Sequence, residues 1–116
     1  MTPTEIEETI LRLSLKDVSG YRLGTPVIDG QDPDLLRLVN AGTAAIPQLL
    51  SMLDTSTARQ AAWIVAALGR IGDPSVLPAL KEICARWEIR EPEDEWNHAV
   101  RGQCRLALDQ LAPEST

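Results

Sequence analysis

The chain has 116 residues, with 11 Lys+Arg against 17 Asp+Glu and a formal net charge of −6 at pH 7. That balance excludes a nucleic-acid binder working through a broad basic surface, and 44% hydrophobic with 24% charged residues is the composition of one ordinary globular domain. Its aromatics are Trp63, Trp87, Trp96 and Tyr21, so the core must be built from Ala, Leu, Ile and Val, which suits closely packed helices.

Thr2-Pro3-Thr4-Glu5 is a capping box with Pro at the first helical position, and Ile6, Ile10 and Leu13 follow at i, i+4, i+7. A helix is expected from about residue 3 to 16. Residues Asp17 to Asp32 hold Gly20, Gly24, Pro26 and Gly30 without a helical period, an unusually long connection of the kind that often carries function. Asp32-Pro33-Asp34 opens a short helix through LLRLV, which stops near Asn40-Ala41-Gly42.

From Thr43 the chain becomes regular. Thr43 is expected to cap a helix carrying Ile46, Leu49, Leu50 and Leu53, and Asp54-Thr55-Ser56 to supply a turn and a new N-cap. The next helix, about 57 to 71, places Ala58, Ala61, Ala62, Val65, Leu68 and Gly72 on one arc, and Gly72-Asp73-Pro74-Ser75 ends it. Val76, Leu77, Leu80, Ile83, Cys84 and Trp87 then form a stripe at helical spacing. A last helix, about 92 to 111, opens on Pro92-Glu93-Asp94-Glu95, where acids complement the positive end of the helix dipole, and its inner stripe is Val100, Cys104, Ala107, Leu108 and Leu111.

The longest uncharged run, Leu38 to Leu53, is too short and too broken by Gly42 and Pro47 to span a bilayer. Glu5, Glu7 and Glu8 stand where a signal peptide would carry basic residues, so a cytoplasmic location is expected. Cys84 and Cys104 both occupy apolar helix positions, where a free thiol packs as a small hydrophobe, and a reducing compartment disfavours a bridge between them.

The second half is internally repeated. AAIPQLLSML aligns with SVLPALKEIC, setting Pro47 over Pro78 at a shift of 31, while AALGRIG aligns with LALDQLA, setting Leu68 over Leu108 at a shift of 40. The second copy therefore holds about nine extra residues between its helices, the acidic segment from Trp87 to Trp96.

ARQAAWIVAALGRIGDPSVLPALKEI resembles the HEAT-like repeats first noted in phycobilin lyases: Arg, an Ala-rich helix, Leu-Gly-x-Ile-Gly-Asp, Pro, then x-Val-x-Pro-Ala-Leu. VRGQCRLALDQL is similar to the Val-Arg-x-x-Ala-x-x-Ala-Leu helix of that family, with Asp109 in place of its glycine. The resemblance is specific over 58–83, looser over 41–57 and 98–111, and absent from 1–32. It implies an all-α fold, a short α-solenoid of antiparallel helix pairs in one domain, each pair burying its stripe against a neighbour. Residues 1–32 are then an N-terminal capping helix and long loop, 33–72 a first repeat region, and 73–116 a second repeat interrupted at 88–95.

In such arrays the second helix of each pair lines the concave surface. Trp63 lies almost opposite Val65 on its helix, beside Gln60, Arg59 and Arg70, which makes it a candidate binding hot spot. The alternative is that the N-terminal helix or the Tyr21 loop folds over it. Trp87 reads as core, while Trp96 faces the core or the insertion. Glu88, Glu91, Glu93, Asp94 and Glu95 form either a solvated helix start or an electronegative lip that steers a cationic partner.

His98 and Asp94 lack a third ligand for a metal, no nucleophile has an evident base, and Gly69-Arg70-Ile71-Gly72 is a helix end, not a phosphate loop. No catalysis and no cofactor are expected. The reading is a protein-binding module, in its most concrete form an acidic inhibitor or immunity-type protein covering a basic protein partner, with no role for nucleic acid or membrane. The alternatives are a phycobilin chromophore lyase-like protein, implied by the resemblance, and a structural scaffold subunit. DNA-lesion recognition, found in other HEAT-like proteins, conflicts with the acidic balance.

Overall fold

The computed structural model describes residues 1–16, 20–22, 25–89 and 95–111, with Tyr21 and Arg22 described through their backbone alone. Helix α1 (Pro3–Leu15) starts as its capping box requires: the Thr2 side chain accepts from the Glu5 N–H and the Glu5 carboxylate from the Thr2 N–H. Ile6, Ile10 and Leu13 are its buried apolar face. Beyond α1 the chain makes a short antiparallel ladder, β1 (Tyr21–Arg22) with β2 (Thr25–Pro26), in the register Tyr21 opposite Pro26 and Arg22 opposite Thr25. The stretch expected to be loop alone thus contains this ladder, and β2 packs on the last helix.

Helix α2 (Pro33–Ala41) is capped by Asp32, whose Oδ1 accepts from Asp34 N and Leu35 N. The same carboxylate takes the Lys16 Nζ at 2.9 Å, and Lys16 also reaches Asp34 Oδ2 at 2.9 Å, so the end of α1 is tied to the start of α2.

Thr43 is not a helix cap. Residues Gly42–Ala45 form a 3-10 turn that leads without a side-chain cap into α3 (Ile46–Leu53), because Ala45 is already in helical geometry and the Ile46 N–H bonds Thr43 O. The same construction recurs one repeat later, where a 3-10 turn at Pro74–Val76 leads into α5 (Leu77–Glu88). Pro47 and Pro78 each stand second in their helix, where a missing N–H leaves no bond unmade, so the sequence alignment of these two prolines is also structural.

Helix α4 (Ala58–Ile71) begins at Thr57, one residue later than the turn signal implied, since Thr57 and Gln60 form a reciprocal capping box. It ends at Gly72, whose φ of 76° is the left-handed C-terminal conformation that glycine adopts without steric cost. Every residue from Ala61 to Gly69 is buried, because α4 packs against α1, α2 and α3 as well as α6 (Glu95–Leu111). A helical stretch buried on all sides can be apolar or small all round, as Ala61–Gly69 is. Its contact with α6 depends on Gly69: a Cβ there would stand 2.8 Å from the Ala107 Cβ and 2.9 Å from its Cα.

Cys84 and Cys104 are joined in a disulfide between α5 and α6, which corrects the expectation of two separate thiols. Both cysteines lie on the inner stripes of one antiparallel helix pair, and the pair brings their Cα atoms to 5.8 Å, inside the range a bridge spans.

Candidate functional site

Among the described candidate residues, those on α4 are covered or partly covered, Trp96 is buried, and Glu95 at the start of α6 is exposed. Trp63 is 3% exposed and belongs to the hydrophobic core, so it does not offer an aromatic to the concave surface. The physical cause is the central position of α4: packing by α1, α2 and α3 covers the side that a helix in a bare two-sided stack would leave open.

Arg59 and Arg70, expected to frame Trp63, are both only partly exposed. The Arg59 guanidinium lies 4.8 Å from the centroid of the Trp96 ring, joining the first turn of α4 to the first turn of α6. Arg70 donates from Nη1 to Ala66 O at 3.2 Å, and its guanidinium runs under the loop, where a Cβ on Gly30 would come within 3.1 Å of Nη2. Gln60 is committed to the cap of α4: its Oε1 accepts from Thr57 N at 3.1 Å. Trp96 is buried beneath Arg59 and Trp87 is buried on the α5 stripe. Among the described residues, Arg59 Nε, Trp63 Nε1 and Gln103 Oε1 are buried without a hydrogen-bond partner. Tyr21 contributes its backbone to the ladder, while its side chain, together with Glu91, Glu93 and Asp94, lies outside the described residues.

The residues that flank the α5–α6 connection are exposed. Ile89, the residue after α5, is 86% exposed, with Glu88 exposed before it and Glu95 exposed at the start of α6. Glu88 holds Arg105 at 3.5 Å, and the buried Arg101 donates to Trp87 O at 3.3 Å and meets His98 Nδ1 at 3.1 Å. These contacts place the end of α5 beside residues 101–105, so the first turns of α6 run on past it. Arg59 anchors the first turn of α6 through Trp96. The sequence from Glu88 to Glu95 carries five acids and one arginine, −4 of the total −6.

Ile89 was not among the residues singled out from the sequence. Its signal was present: it falls two positions after Trp87, off the α5 stripe, and it is an apolar residue inside an acidic run. Among the described residues no group of three or more His, Cys, Asp or Glu side chains could hold a metal ion, and no helix is long and apolar enough to cross a membrane.

Residues 60–86, from the capping glutamine of α4 to the last turn of α5, match the family model of the PBS lyase HEAT-like repeat. This stretch is similar to one HEAT-like repeat, and the all-helical packing around it agrees with such a repeat. Neither the curated proteins nor the solved structures contain a match to the chain. The match takes in most of the covered helix α4, the 3-10 turn and most of α5, and it ends before Ile89 and the acidic segment.

Proposed function

We propose that this protein is a non-enzymatic binding module that docks a basic protein through the α5–α6 turn. The observation that carries this is Ile89, 86% exposed, standing in a segment that holds −4 of the net charge of −6. An exposed apolar side chain within an acidic stretch of sequence suits a partner surface in which lysines and arginines surround a small apolar hollow. The acids steer the encounter and set the register, while the isoleucine contributes the desolvated contact. Trp63, covered by neighbouring helices, has no part in this surface. An acidic inhibitor or immunity-type role against a basic toxin is the most concrete form of this reading.

Affinity capture at low salt from a lysate of the native host tests it, with wild-type protein run beside Ile89→Ser and a Glu91→Lys, Glu93→Lys pair. The expected result is a basic protein held by the wild type, released by salt and lost with both variants. Capture of the same proteins by wild type and variants alike contradicts the proposal.

The family match favours a second reading, that of a chromophore lyase-like protein, because the matched repeat takes its description from PBS lyases. Incubation with phycocyanobilin distinguishes it: a spectral shift supports chromophore handling, and an unchanged spectrum removes it. A structural scaffold subunit would show itself as a stacked oligomer in a measurement of mass in solution.

A further inference from the structure

We propose that Cys84 and Cys104 form a redox clamp on the helix pair that presents the docking turn, an inference that rests on the reading of that turn as the docking surface. The bond joins the two helices flanking the insertion, and the segment it closes, with a sequence separation of 20, contains Trp87, Ile89, the whole acidic run and Trp96. It ties no other element to the core. Helices α1 to α4 carry most of the buried apolar side chains, and neither cysteine lies on them. The bond therefore acts where α5 ends and α6 overhangs it.

The position of the two sulfurs also sets how the bond is reached. Both cysteines are buried, at 3% and 1% exposure, but Cys84 lies only four residues from the end of α5, whereas Cys104 sits in the middle of α6. Fraying of the last α5 turn uncovers Cys84 first, because helix ends open at little cost while mid-helix residues do not. Oxidised glutathione is the co-reactant class. The Cys84 thiolate attacks one sulfur of the glutathione disulfide, breaking its S–S bond and releasing one glutathione thiolate. The Cys104 thiolate then attacks the Cys84 sulfur of the mixed disulfide and expels the second glutathione. Two protein thiols are oxidised by two electrons, one glutathione disulfide is reduced to two thiols, and the protons lost by the cysteines are taken up by the two glutathiones. Reduction runs the same steps in reverse.

Closed, the clamp holds the end of α5 against α6 and so fixes the position of Ile89, the residue after α5. Open, the last turn of α5 and the first turns of α6 lose their covalent tie and keep non-covalent contacts, among them Arg101–Trp87, Glu88–Arg105 and Arg59 on Trp96. Binding then incurs the entropy of ordering the turn.

Amide hydrogen exchange on the full chain tests the clamp without a partner, comparing the oxidised protein, the protein reduced by dithiothreitol, and the Cys84→Ala, Cys104→Ala double variant. The expected result is exchange at residues 85–89 and 95–103 rising at least tenfold more than in α4 on reduction, reversing with oxidised glutathione and reproduced by the double variant. No rise, or a uniform rise in every helix, overturns the clamp, since a bond acting only on the unfolded chain affects all helices equally. A lysine-rich peptide with one leucine serves as the binding probe, with tenfold tighter binding expected for the oxidised form. Equal binding by both forms overturns redox control of docking. Binding by neither form overturns the docking reading instead, and the exchange result still decides the clamp.

Discussion

The guanidinium of Arg59 stacks on the ring of Trp96 at 4.8 Å, and this contact joins two helices that begin 37 residues apart in the chain. A cation over an indole face contributes about 1 kcal/mol when partly desolvated. Arg59→Ala is expected to destabilise the fold by about that amount in urea unfolding, and Arg59→Lys by less. In a double-mutant cycle with Trp96→Leu the two substitutions are expected to be coupled. Additive losses would show that the stacking holds nothing.

Gly69→Ala replaces a poor helix former with the best one, which by propensity alone would stabilise the protein by about 1 kcal/mol. The new methyl group would meet the Ala107 Cβ at 2.8 Å and its backbone Cα at 2.9 Å, and only the Gln110 Oε1 at 2.6 Å can swing away. Forcing α4 and α6 apart costs about 2 to 3 kcal/mol, so a net loss of about 1 to 2 kcal/mol is expected in chemical denaturation. A stabilised Gly69→Ala protein would mean that the two helices do not meet at this position.

The latch of Lys16 on Asp32 and Asp34 predicts a pH dependence. The hydrogen bond from Lys16 holds the Asp34 carboxyl below its ordinary value, against the opposing effect of partial burial, and Arg12 adds to the lowering. A carboxyl depressed on folding contributes stability above its unfolded pKa, and that contribution is lost as pH falls through the lower folded value. For Lys16, burial acts to lower the pKa, but the hydrogen bonds to Asp34 and Asp32 outweigh it and raise the value, so its contribution is lost only as pH rises through the raised pKa. Asp34→Asn is expected to cost about 1 kcal/mol at neutral pH, a modest figure because Lys16 is a third exposed and solvent screens the pair. It is also expected to flatten the acid limb of the stability curve. Thermal melts between neutral and strongly acid pH check both, and an unchanged acid limb would show that the latch is not formed.

Removing the Cys84–Cys104 bond releases a constraint on the unfolded chain as well as on the turn. For a loop of this length the expected loss is about 3 kcal/mol for the Cys84→Ala, Cys104→Ala pair, measured against the oxidised protein in guanidinium chloride. The variant should still fold, since the core does not depend on the bridge. A midpoint shared by oxidised protein and variant would contradict a bridge in the native state.

Periodicity and capping chemistry were enough to read the α-helices along the sequence, but not the short β1–β2 ladder. The Thr2–Glu5 box, Asp32 before Pro33 and Gly72 after Ile71 each mark a helix end that the structure places within a residue or two. The 3-10 turns ahead of Pro47 and Pro78 escaped because a turn of three or four residues has no periodic signature. Trp63 was ambiguous for a different reason. A helical wheel gives the direction of a side chain, not how many neighbours a helix has, and the covering of α4 by α1 and α2 is a long-range fact. The same limit applied to Cys84 and Cys104, which each read as core and are bridged because two stripes face each other at matching heights. Ile89 was legible in principle, as an apolar residue just after α5 that leaves its apolar stripe.

The most direct measurement is the affinity of the captured basic partner for three proteins: wild type, Ile89→Ser and Arg70→Ala. Docking at the α5–α6 turn predicts that Ile89→Ser weakens binding at least tenfold, about 1.4 kcal/mol, while Arg70→Ala, beneath the Gly30 loop, leaves it unchanged. Loss of binding with Arg70→Ala and none with Ile89→Ser would contradict this account and return the binding surface to α4.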